Sequence, residues 1–213
     1  MPTVRRPYQP VWLLCVLTTV FALAGCQKPW ELYDPDALAE ADKLLVMPAT
    51  GAPGPHGPNA GPVETGLLIT AIDQLGRFDV EGPGRMRAAF KSLDTGPAEW
   101  SPNAQSDLTG QFDADLLVIA EVFDFRPLVV HRHSDYWISE RNWTESSFIV
   151  GVTVRIVDPV RGQLIYRGNG SAKSETGYGQ AMTQATDLAL EGLRQFVANN
   201  PVRKTPPAQE AAP

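Results

Sequence analysis

Phe148, Val150, Val152, Val154 and Ile156 occupy every second position against Ile149, Gly151, Thr153, Arg155 and Val157. That period predicts a strand with one face on a core. Asp158-Pro159-Val160-Arg161-Gly162 supplies turn chemistry, so residues 163–174 are expected to return as its hairpin partner. Residues 43–48 form a brief apolar run ending at Pro48, the pattern of a buried strand. Leu67, Leu68, Ala71, Ile72 and Leu75 recur at helical spacing, with Pro62 near the start and Gly76 past the end, which predicts a helix over 63–75. Residues 77–81 read as a short strand. Met86, Ala89, Phe90 and Leu93 read as a second helical stripe, and 106–112 as one further helical turn. Residues 116–120 are apolar on both faces and 121–126 alternate, as in a strand that crosses the middle of a sheet and emerges into solvent. Met182, Ala185, Ala189, Leu193 and Phe196 mark one face of a closing helix over 180–197. The sum is an α/β fold: a single domain with a mixed sheet of about five strands flanked by helices.

The amino terminus follows different rules. Arg5 and Arg6 precede an apolar run over 11–24 that is too short for a bilayer crossing, which needs roughly 20 residues. Leu23-Ala24-Gly25-Cys26 resembles the lipobox of bacterial lipoproteins, in which the cysteine is linked to diacylglycerol and becomes the first residue of the mature chain. The resemblance implies a lipoprotein signal peptide at 1–25, a palmitate-type anchor on Cys26, and a membrane partner reached through that anchor. Gln27 after the cysteine implies outer-membrane sorting, with the domain facing the periplasm. Residues 26–42 are then a lipidated N-terminus and short tether, 43–198 the periplasmic α/β domain, and 199–213, with four prolines, a disordered tail.

Composition narrows function. The 213 residues carry 18 Lys+Arg and 24 Asp+Glu, a formal charge of −6; loss of Arg5 and Arg6 with the signal peptide leaves 16 against 24, or −8. Such a chain is no match for a polyanion, so no nucleic-acid partner is expected. Of the two cysteines, Cys15 leaves with the signal peptide and Cys26 is acylated, which excludes thiol chemistry.

Candidate chemistry is sparse. The loop after the first predicted strand lies where phosphate cradles occur, yet Pro48, Pro53, Pro55, Pro58 and Pro62 each remove an N–H donor, and Glu64 places an anion in the helix's first turn. His131 and His133 with Asp135 form the one metal-like cluster, a weak set of candidates because a third strong ligand is missing. No nucleophile-elbow serine is present. No enzyme activity and no cofactor are therefore expected; a metal-dependent hydrolase using His131, His133 and Asp135 is the minor alternative. The unusual stretch is 128–147, read as a long connection between strands, where Tyr136, Trp137, Ile138 and Trp143 stand among charges. Residues of these types concentrate at interface hot spots, so they are the candidate partner-binding set; the alternative is that they fold back to cover the sheet edge.

Residues 63–80, 112–121 and 152–165 resemble the CsgG family of curli-secretion lipoproteins, whose fold is shared with the lipoproteins that activate peptidoglycan synthases and with the N-terminal domain of TolB. The resemblance spans 43–197. It implies a CsgG/TolB-N-like fold, a protein-binding role in envelope assembly or secretion with a periplasmic or outer-membrane protein as partner, and, in ring-forming members, a homo-oligomer. Pore-forming members insert two amphipathic hairpins. Residues 128–149 would correspond to one, but His131, Arg132, His133, Asp135, Glu140, Arg141 and Glu145 interrupt any lipid-facing band, and 174–180 leaves no room for the other. Synthase activators carry longer linkers than the tether here.

Overall fold

A computed structural model of the chain describes residues 28–54, 57–84, 102–136 and 139–201, with the backbone alone at 102–104, 134–136 and 139–143. The elements run β1 (Trp30–Leu32), α1 (Pro35–Glu40), β2 (Lys43–Val46), a 3-10 turn (Gly57–Asn59), α2 (Ala60–Asp73), β3 (Asp79–Glu81), α3 (Pro102–Phe112), β4 (Leu116–Tyr136), β5 (Ser139–Asp158), β6 (Gln163–Ser174), α4 (Tyr178–Ala189) and α5 (Glu191–Asn199). Six strands form one sheet in the order β1-β6-β5-β4-β2-β3. The β3-β2-β4 half is parallel and the β4-β5-β6-β1 half antiparallel, so the mixed α/β sheet expected from the sequence is present with one strand more.

The core lies on one face. Val150, Val152, Val154 and Ile156 of β5, fully buried, meet Leu68 and Ile72 of α2, Ala181, Met182, Ala185 and Ala189 of α4, and Leu193 of α5. Two glycines let α4 come this close. A Cβ on Gly168 would sit 1.8 Å from the Ala189 carbonyl oxygen, and one on Gly170 would sit 1.8 Å from that of Ala185. Beside them the buried Tyr166 hydroxyl donates to the Ala189 carbonyl at 2.6 Å. The opposite face is covered only in part: Leu45, Met47 and Leu117 pack on Leu108 of α3. Across β5 and β6 that face stays open, with Arg155, Arg167, Ser171 and Lys173 exposed.

Three expectations need correction. The tether assigned to 26–42 is, from Trp30 onward, part of the domain. β1 pairs antiparallel with β6, Trp30 packs on Gly192, and Leu38 of α1 is fully buried. Asp34 starts that helix by accepting the Ala37 amide at 2.9 Å, with Pro35 fixing the first turn. The single helix over 180–197 is two, broken at Leu190, where Arg194 Nη1 takes the Asp187 carbonyl at 2.8 Å and pairs with its carboxylate. Leu193 and Phe196 of α5 are buried in the core. The third correction, at 128–147, forms the candidate site. Residues 1–27, including Cys26, the stripe at 86–93, and most of the tail from 202 onward lie outside the described residues.

Candidate interaction surface

Residues 128–147 are not a loop. β4 and β5 stay in register from Leu117 opposite Val157 to Tyr136 opposite Ser139, with one bulge between Val122 and Asp124. β6 leaves this ladder at Ser174, opposite Phe148. Beyond that point, among the described residues, the two strands pair only with each other, as a ribbon of nine residues in β4 that reaches about 30 Å at ~3.4 Å per residue. The sequence reading failed here because polar residues on both faces hid the alternation that marks a half-buried strand. Cross-strand polar pairs stabilise the arm instead: His131 Nδ1 lies 3.2 Å from Thr144 Oγ1, and Arg132 Nε donates to Glu145 Oε2 at 2.8 Å.

The root of the arm is built from aromatic rings that sequence periodicity did not single out. Phe125 of β4 stacks on Tyr178 at the start of α4, with centroids 4.0 Å apart and planes 12° apart; Phe148 of β5 tilts against the same ring at 4.6 Å. Below them Ser147 and Ser174 are buried, and Ser174 Oγ donates to Gln180 Oε1 at 2.7 Å while accepting the Thr176 amide. A stacked cluster and a satisfied polar knot therefore fix the direction in which the arm leaves the sheet.

Two of the predicted partner-binding residues lie on the described backbone of the arm. Tyr136 closes β4 and Trp143 stands opposite Arg132 in β5. Trp137 and Ile138, between the strands, lie outside the described residues. His131 and His133 share one side of β4, exposed, and Asp135 follows them along the strand. Among the described residues no group of three His, Cys, Asp or Glu side chains converges as a metal site.

Glu64 is the group whose role the sequence hid. On α2 it is fully buried rather than presented at a helix start, and burial raises its pKa from 4.5 to about 8. Thr186 Oγ1 lies 2.8 Å from Glu64 Oε2 and 2.9 Å from the Met182 carbonyl. One hydroxyl proton cannot serve both acceptors. A protonated Glu64 resolves this by donating to Thr186, which then donates to Met182; Glu64 Oε1 keeps no partner. Elsewhere, a cleft of about 350 Å³ is bordered by Asp115 and Asp158, but both carboxylates already accept backbone amides, from Asp42 and Lys43 and from Val160 and Arg161.

No protein-family model and no curated relative matches the chain. Among solved structures, the PelC dodecamer from Paraburkholderia phytofirmans is similar at 17% identity and a TM-score of 0.50, over 78% of this chain and 96% of that one. A single-substitution variant of the same dodecamer has the same identity and score, over 78% and 97%. Lipoprotein GNA1162 from Neisseria meningitidis is similar at 16% identity and a TM-score of 0.46, over 74% and 99%. At these identities the likeness to PelC is one of fold: a single α/β domain with a mixed sheet flanked by helices.

Proposed function

We propose that this chain is a lipid-anchored envelope protein, held at the outer membrane by Cys26 with its domain in the periplasm, that binds a protein partner in envelope assembly or secretion without catalysing a reaction. The observation that carries the reading is the arm. Among the described residues, the strands of this ribbon pair only with each other beyond a root of stacked aromatics, and Tyr136, Trp137, Ile138 and Trp143 cluster in its sequence. The lipobox supplies the membrane address. Affinity capture from detergent-solubilised envelopes tests the role: a partner recovered with the native chain is expected to be lost with Trp137→Ala/Trp143→Ala. Undiminished recovery by a folded double variant would refute the arm as the contact.

A second reading is an assembly of copies, favoured by the shared fold with PelC, whose solved form is a dodecamer. Sedimentation of the acylated protein in detergent separates the two, since a strictly monomeric species is incompatible with a ring.

A further inference from the structure

Glu64 and the arm are joined by one helix. α4 carries Tyr178 and Gln180, which hold the root of the arm, at its start, and Thr186, the neighbour of Glu64, towards its end. Thr186 stands eight residues, or about 12 Å, beyond Tyr178. Against the sheet the later turns of this helix have no slack, because the Ala185 and Ala189 carbonyls lie where Gly170 and Gly168 leave no room for a side chain. The first turn is held differently. Gly177 offers no side-chain cap, so the start of α4 depends on the stack of Tyr178 with Phe125 and Phe148 and on Gln180 Oε1, which accepts from Ser174 Oγ and from Thr176 Oγ1. The contacts that fix the arm therefore also fix the first turn of the helix.

Where α4 meets α2, it faces a carboxyl that has no place for a charge. Glu64 is fully buried, its Oε1 has no partner, and Thr186 offers a single hydroxyl proton that the Met182 carbonyl also uses. No charge of either sign acts on it: burial raises its pKa and only the Thr186 hydroxyl opposes this. The titratable groups of the elements packed on α2 are engaged or turned elsewhere. Lys43 of β2 donates to the Phe112 carbonyl, Asp79 of β3 and Glu121 of β4 are exposed, Glu81 lies on the edge strand, Asp124 pairs with Arg126, and Asp187 of α4 pairs with Arg194. Tyr178 itself ionises only above 10, because burial raises it. An ionised Glu64 must therefore find water, since a charge without a partner in an apolar interface is costly. Water reaches it only if α2 and α4 part. The hydroxyl that the carboxylate draws on belongs to α4, one turn beyond Met182 and two beyond Tyr178, so the disturbance falls on the helix whose first turn holds the arm.

We propose that the proton on Glu64 regulates the arm: while the carboxyl is neutral α4 holds the arm root, and its ionisation lifts the first turns of α4 and frees the arm to change direction. The inference rests on the arm as the contact and adds its regulation. Linkage fixes sign and size, because an opening that hydrates the carboxyl is disfavoured while the proton is held and gains as pH climbs towards the folded pKa. Native-state amide exchange of the full chain, corrected for its intrinsic pH dependence, reads that opening at 125–129 and 146–149. A carboxyl that titrates near 8 when buried and near 4.5 when hydrated makes the opening about 30-fold more frequent at pH 9 than at pH 6.5, with the rise levelling off above pH 8. The exchange is expected to be insensitive to dilute urea, as in a local opening, and Glu64→Gln is expected to abolish the rise. No rise, a rise that persists in Glu64→Gln, or a rise carried only by urea-sensitive global unfolding overturns the proposal. The parent's own curve is a second test that needs no variant: a rise that continues past pH 8 without levelling off also overturns it. None of these readings needs a partner, so the two ideas fail separately. A coupled arm with undiminished capture by Trp137→Ala/Trp143→Ala refutes the contact alone, and an uncoupled arm with capture lost in that variant refutes the coupling alone.

Discussion

Replacing Glu64 with Gln removes a titratable proton from the interface of α2 and α4 while keeping the shape of the side chain. In the folded protein the carboxyl titrates near 8, against 4.5 when solvated, and the cause is burial, opposed only in part by the Thr186 hydroxyl. A raised folded pKa means that the native state holds the proton more tightly than the unfolded chain. The group's contribution is therefore complete below pH 4.5 and is lost progressively as pH climbs to about 8. At ~1.4 kcal/mol per pH unit, the loss amounts to about 3 kcal/mol at pH 7 and approaches ~5 kcal/mol above pH 8. Gln makes the same bond to Thr186 with its amide at every pH. Urea denaturation at pH 5, 7 and 8.5 should show Glu64→Gln within about 1 kcal/mol of the parent at the acid end. The variant should be progressively more stable than the parent at the other two. All other titrating groups cancel in the difference between the proteins. A difference that is flat across that range would mean that Glu64 is ionised or hydrated in the native state, and would refute the proton assignment.

Three further outcomes follow from packing. Gly168→Ala puts a methyl group against the Ala189 carbonyl, so α4 must shift; a loss of about 1–3 kcal/mol and a lower thermal midpoint are expected. Gly66→Ala meets open space inside α2 and should instead add about 0.5–1 kcal/mol; a loss there would contradict the helix assignment. Tyr178→Ala removes the ring that joins Phe125 and Phe148, so amide exchange in 128–147 should accelerate while β2 and the inner half of β5 keep their protection; uniform acceleration would show that the arm root is not a separate unit.

What the sequence disclosed and what it hid divide along physical lines. Alternation in β5 and the apolar run of β2 were legible because each buries apolar side chains, and the turn at Asp158 to Gly162 because its residues carry turn chemistry. α1 was legible in principle, since Asp34-Pro35 is a capping signature, but the segment is short and its one fully buried residue, Leu38, gives no period. Arm residues 128–147 escaped because a ribbon outside the core has no reason to alternate; its order comes from backbone pairing and polar cross-strand contacts. The break at Leu190 escaped because Leu190 is itself buried and a good helix former. Glu64 escaped because a lone carboxyl in a helix reads as solvent-facing until its neighbours are known.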